Sequence, residues 1–159
     1  MRLPPVTVRR MVLAALFAAP VAAAAFLAIP SRAADGQVFA ERGIAIRGTD
    51  PVAYFTQGRP VAGNAAITHP WRGATWRFAT AANRDAFAAD PERYAPAYGG
   101  FCAWAVAQGY TASIDPDAWK IVDGRLYLNY NPRIQRDWEA DIPGNITKAN
   151  TNWPRLAAK

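Results

Sequence analysis

Ala65-Ala66-Ile67-Thr68-His69-Pro70-Trp71, then Arg72-Gly73, then Ala74-Thr75-Trp76-Arg77-Phe78-Ala79: two runs rich in β-branched and aromatic residues flank a two-residue link that ends in glycine. Such a link suits the tight turn of a hairpin, and the two-residue period of a strand puts Ile67, His69 and Trp71 on one face. Downstream, Thr80 stands as N-cap to a helix over Ala81 to Ala89 with Phe87 turned to the core, and Asp90-Pro91 closes it and opens a second short helix. The spacing of Phe101, Trp104, Ala105 and Gln108 predicts a helix over 101–108 that stops at Gly109. Asp123-Gly124 marks a second hairpin between Trp119–Val122 and Arg125–Asn129. Asn131-Pro132 caps a helix to about Ala140, and a short helix over 143–154 packs Trp153 back on the body. Upstream, Ile44 to Arg47 alternate weakly and Gly48-Thr49-Asp50-Pro51 closes them as a turn in which Pro51 keeps Asp50 out of the helical region. No internal repeat or low-complexity tract stands out. Hairpin, helices, hairpin, helices is the order of a small single-domain α+β fold with antiparallel strands and several short helices.

Composition narrows what such a domain can do. The 159 residues hold 18 Lys plus Arg and 12 Asp plus Glu, a net charge of +6, with one Cys and one His. One Cys permits no internal disulfide, no iron–sulfur cluster held by four thiolates and no structural zinc site within one chain. Arg2, Arg9 and Arg10 precede the apolar run Met11 to Pro30, and Ser31-Arg32-Ala33 follows it with small residues three and one before a cut after Ala33. Residues 1–33 therefore read as a secretory signal peptide, and the chain as periplasmic or secreted. Val8-Arg9-Arg10-Met11-Val12-Leu13 suits either a twin-arginine or an ordinary leader. Pro20 interrupts the run and Ala dominates it, which favours cleavage over a retained membrane anchor. Residues 34–159 then keep 14 basic and 12 acidic groups. Most of the basicity belongs to the leader, no basic run survives, and nucleic-acid binding is excluded as a reading.

Asp50-Pro51-Val52, Trp71-Arg72-Gly73-Ala74-Thr75-Trp76-Arg77-Phe78, Phe87 and Asp90-Pro91-Glu92-Arg93-Tyr94 resemble the YHS domain in order and spacing, over about Gly48 to Tyr94. Tyr98-Gly99-Gly100-Phe101-Cys102-Ala103, Asp141-Ile142-Pro143-Gly144-Asn145-Ile146 and Asn152-Trp153-Pro154 resemble an exported bacterial branch of YHS domain-containing (seleno)proteins. The resemblance implies a YHS-like domain over residues 34–159 with a C-terminal helical extension. It also implies a metal-binding module of the kind appended to copper-transporting ATPases and some hydroxylases. The family's metal case rests on Cys and His positions. Here Ala53, Ala79 and Asn83 stand where its Cys are expected, and Arg72 where its His is expected. The family's metal site is not carried over.

Cys102 is the first chemical candidate. At the start of a helix after Gly99-Gly100, backbone N–H groups and the helix dipole would favour its thiolate, and the resemblance places selenocysteine at this position in relatives. The alternative is a small buried core residue between Phe101, Ala103 and Trp104. His69, the only imidazole, is either a surface strand residue or a partner that meets Cys102 to hold a copper or zinc ion, completed by an Asp or a second protomer. Turn capping accounts for Asp50, Asp115 and Asp117 without chemistry. Tyr54, Tyr98, Trp104 and Tyr110 either fill the core or line a groove for a flat or apolar ligand. No phosphate loop or Ser-His-Asp set is present, and Glu41, Glu92 and Glu139 are the only glutamates.

These residues predict an exported binding or accessory module, without a catalytic centre, that takes a protein partner or small ligand, or a metal ion at Cys102. The first rival is a thiol-dependent redox enzyme or sensor using Cys102. The second is a structural partner-binding domain in which Cys102 is inert.

Overall fold

The computed structural model describes residues 37–159; the leader over 1–33 lies outside them. The Arg72-Gly73 hairpin forms as read, with β3 (Asn64–Trp71) antiparallel to β4 (Ala74–Phe78). Both turn residues take left-handed backbone, Arg72 at φ 47° and Gly73 at φ 74°, as a two-residue link of this hand requires. Two short strands, β1 (Ala40–Glu41) and β2 (Ile44–Ala45), extend the sheet in the order β1-β2-β4-β3. The β2–β4 pair is parallel, with Ile44 opposite Thr75, the one departure from an all-antiparallel arrangement among the described strands.

The segment read as a turn closing on Pro51 holds a 3-10 turn over Ile46–Gly48 and then α1 (Pro51–Thr56). Asp50 is extended as Pro51 demands, and its carboxylate caps the helix. Six residues, four of them buried, carry no amphipathic stripe, so periodicity could not reveal α1. Thr80 caps α2 (Ala81–Ala89), Asp90 caps α3 (Pro91–Tyr94), and a 3-10 turn over Ala97–Gly100 leads to α4 (Ala103–Ala107). Phe101 is extended and stays outside α4, because Tyr98, Gly99 and Gly100 hold positive φ and turn the chain before the helix begins.

The second hairpin pairs β5 (Asp115–Val122) with β6 (Arg125–Asn129) around Asp123-Gly124. Asn131 caps α5 (Pro132–Glu139) and Asp141 caps α6 (Ile142–Ala157). Helix α6 runs beyond the expected 143–154, with Pro154 inside it. Tertiary bonds hold its last turns: Asn152 donates to the carbonyls of Val106 and Ala107, and Arg155 to that of Gly109.

The fold contains an internal repeat that is not apparent from the sequence. From the 3-10 turn at Ile46 to the end of α2, the elements recur 51 positions later: β3 starts at Asn64 and β5 at Asp115, the turns are Arg72-Gly73 and Asp123-Gly124, and α2 and α5 start at Ala81 and Pro132. Both hairpins carry the same bulge, three extra residues in the first strand between its first pair and the rest. Both carry the same ring pair: Trp76 lies on Phe87 at 5.0 Å and 32°, Tyr127 on Trp138 at 5.2 Å and 33°. Identities at this offset are few and fall mainly on turns and caps, Gly48 and Gly99, Gly58 and Gly109, Gly73 and Gly124, Asp90 and Asp141. What repeats is backbone punctuation, with side chains free to diverge between it.

The core forms two packed clusters. Val52, Tyr54, Trp76, Phe78 and Phe87 centre the first, which also takes in Cys102, Ala105 and Ile114 of the second half, and Tyr98, Val106, Tyr127, Trp138 and Leu156 centre the second. Strand β6 serves both, since Leu126 and Leu128 enter the first cluster while Tyr127 enters the second.

Candidate functional site

In the first half, the gap between α1 and α2 is closed by Asp50, which is fully buried. Its Oδ1 accepts from the N–H groups of Val52 (2.9 Å) and Ala53 (3.3 Å), and its Oδ2 from Ala79 N–H (2.8 Å) and Asn83 Nδ2 (2.7 Å). Ala53, Ala79 and Asn83 are the positions where the YHS resemblance expects cysteines, so the fold does bring them together. Every group they turn to Asp50 is an N–H donor, and a cation needs lone pairs instead. These residues do not fit a metal. Arg72, at the position of the family's His, lies at the hairpin tip, paired with Glu92 and stacked on Trp71 at 4.4 Å.

In the second half, the equivalent gap between α4 and α5 stays open. Cys102, Trp104, Ala105, Tyr110, Ala112, Tyr130 and Ile134 enclose a cavity of about 190 Å³. At the offset of 51, Trp104, Tyr130 and Ile134 are the counterparts of Ala53, Ala79 and Asn83. No carboxylate enters from the position of Asp50, because its counterpart Phe101 packs edge-on to Phe39 and against Trp153. Behind the wall, Asn129 at the end of β6 supplies the polar contact to Cys102 and Trp104. It is fully buried, and its Oδ1 accepts from Trp104 N–H at 3.1 Å and from the Cys102 thiol at 3.8 Å. The Nδ2 of Asn129 is buried with no hydrogen-bond partner. A buried donor left unmade is costly.

Cys102 is the N-cap of α4 and is 1 % exposed. Burial pushes its thiol up from the ordinary value, and the nearby N–H groups of Ala105, Tyr130 and Trp104 offset this only in part. The thiolate expected at a helix start is therefore disfavoured: a helix of five residues adds little field, and the apolar walls withhold solvent. Cys102 lines the pocket with its thiol form favoured by burial.

The other candidates fall elsewhere. His69 pairs with Trp76 across the first hairpin and sets its ring edge-on to Phe87 at 6.1 Å, whereas Cys102 meets Asn129 and the α4 backbone. Among the described residues no group of three or more His, Cys, Asp or Glu is placed to hold a metal ion. Asp115 accepts from Asp117 N–H at 2.9 Å in the turn-capping role expected of that pair. Of the four aromatic residues expected to share a groove, Trp104 and Tyr110 do so, edge-on at 6.5 Å. Tyr54 is buried, donates to Pro116 O at 2.8 Å and packs on Trp119. Tyr98 is buried against Tyr127 and Trp153 and donates to Asn150 Oδ1 at 3.0 Å. Burial raises both phenol pKa values.

Asn129, Tyr130 and Ile134 escaped the sequence reading. Tyr130 carried one signal, a large aromatic placed just before the cap Asn131, and it is 52 % exposed at the pocket mouth, as Tyr110 is at 48 %. Neither a protein-family model, nor a curated protein, nor a solved structure matches this chain. The function therefore has to be drawn from the chemistry of the pocket.

Proposed function

We propose that the protein is an exported, YHS-like binding or accessory module, without a catalytic centre of its own, whose binding site is the pocket at Cys102. The observation that carries this is the contrast of equivalent positions: the gap that Asp50 closes with four hydrogen bonds in the first half is an aromatic-walled cavity in the second. A cavity of about 190 Å³ compares with the ~150 Å³ that accepts one benzene ring. Its occupant is a single flat or apolar group, free or on a partner's side chain, with the Cys102 thiol beside it. The order of basic, apolar and small residues in Met1–Ala33 supports export. Among the described residues no group of three or more His, Cys, Asp or Glu gathers at Cys102, which weighs against copper or zinc there, and burial of the thiol weighs against a redox role, which needs the thiolate.

Two measurements on the mature chain test this. Indole titration followed by NMR is expected to shift the Trp104 and Tyr130 signals saturably, and Ala112→Phe, which fills the cavity, to abolish the shift. Native mass spectrometry of protein prepared without reductant or chelator is expected to show no metal on Cys102. A metal-sized increment lost in Cys102→Ala, or an oxygen adduct on Cys102, overturns the reading, as does indole binding that survives Ala112→Phe.

A further inference from the structure

A second concavity, away from Cys102, opens on the first sheet. It is a broad, open hollow of about 780 Å³ lined by Glu41, Arg42, Ile44, Arg47 and Arg77. Three guanidinium groups face one carboxylate there, a surplus of two positive charges. Arg77 lies on β4 between Trp76 and Phe78, both fully buried toward the core, so alternation turns it to the opposite face of the sheet.

Surplus charge of one sign in a recess costs stability unless something neutralises it. Only Arg47 has a partner: its Nε and Nη2 reach Glu41 Oε1, each at 3.1 Å, and its Nη2 also donates to Ser113 Oγ at 3.0 Å. Arg42 and Arg77 make no ion pair among the described residues. The base of Arg77 is closely packed, because a Cβ at Gly63 would stand 2.6 Å from Arg77 Cβ. The Nε of Arg77 is covered and has no hydrogen-bond partner.

The backbone beside the cleft is strained as well. Ile46, β-branched and fully buried, has φ 37°, and Arg47 has φ 57°. Left-handed geometry at a β-branched residue is an outlier that persists only where its surroundings impose it, and such strain gathers at functional sites. Here it sets the direction of Arg47.

We propose that this cleft binds a small phosphate-bearing anion through Arg42 and Arg77, with Arg47 completing the cradle. A phosphate group carries between one and a half and two negative charges at neutral pH, which matches the surplus. The guanidinium fork is the donor geometry suited to phosphate oxygens.

The test is calorimetric titration of the mature chain at low ionic strength with inorganic phosphate and with glycerol 3-phosphate. Melting curves are recorded in phosphate and in chloride at matched ionic strength. Saturable one-to-one binding is expected, with a phosphate-specific rise in melting temperature. Arg42→Met and Arg77→Met should each weaken binding about tenfold or more, as loss of a charge-assisted contact does, and Arg77→Lys by less. Without phosphate, Arg77→Met should melt no lower than the parent chain. Arg42 is exposed in the β1–β2 turn, so its variant keeps the test valid should Arg77→Met fail to fold. Tighter binding of glycerol 3-phosphate assigns the site to a phosphomonoester, and equal binding to the phosphate group alone. Absence of saturable binding at millimolar phosphate overturns the proposal, even if an acidic peptide binds. So does phosphate binding that both Met variants leave unchanged.

Discussion

The two halves of the domain share an architecture but bury different polar residues beside their helix pairs, Asp50 in the first and, from a different position, Asn129 in the second. In the first, Asp50 brings a charge into the core, and a buried carboxylate must be saturated. Two helix N–H groups, the end of β4 and Asn83 all converge to do this, and the space between α1 and α2 is consumed. In the second, Asn129 is neutral and enters from the strand side. It caps Trp104 N–H, reaches the Cys102 thiol, and leaves its own Nδ2 unbonded. With no charge to satisfy, the chain need not close on it, and the pocket remains. The same scaffold thus yields a structural knot or a binding site according to the charge placed between its helices.

If the repeat is a physical equivalence, its paired rings should matter alike. Phe87→Ala and Trp138→Ala empty fully buried sites and should each cost about 3–5 kcal/mol in urea unfolding. A large cost at one and little at the other breaks the comparison. Asp50→Ala should follow at about 3 kcal/mol, the cost of stranding several buried donors at once. Asn129→Ala should cost only about 1 kcal/mol, since it loses one helix cap but also removes an unsatisfied donor. Equal losses at the two positions would show that the knot and the pocket are held in the same way.

The smallest effect is a pH dependence. Folding raises the Cys102 pKa and so favours the thiol. That contribution is fully present below the ordinary thiol pKa and is lost as pH rises through the folded value. Unfolding free energy should therefore decline above about pH 9 and decline less in Cys102→Ala. Tyr54 and Tyr98, also raised by burial, should add a second decline above about pH 10. Identical slopes in the parent chain and Cys102→Ala would show that the thiol is not desolvated.

Much of this frame was legible in local chemistry. Arg72-Gly73 and Asp123-Gly124 announced the hairpins, and Thr80, Asp90 and Asn131 announced helix starts, because turns and caps are decided by the residues that form them. Asp50 was readable as a turn cap, but the helix it caps was not. Nor were the bonds of Asp50 to Ala79 and Asn83, since they join residues 29 and 33 positions apart. Likewise the pocket gathers Cys102, Tyr110 and Ile134 from three segments that only tertiary packing makes neighbours. Thiolate character was expected at Cys102 from its place before a helix, and burial, which sequence does not display, reversed it.

Strand β6 has a consequence for cooperativity. Because Leu126 and Leu128 belong to one cluster and Tyr127 to the other, neither half can melt while the other stays intact without tearing apart a strand buried on both faces. Despite its two-fold repetition, the domain should lose structure in a single calorimetric transition, and the backbone amides of Leu126 to Leu128 should exchange with solvent only when the whole molecule opens.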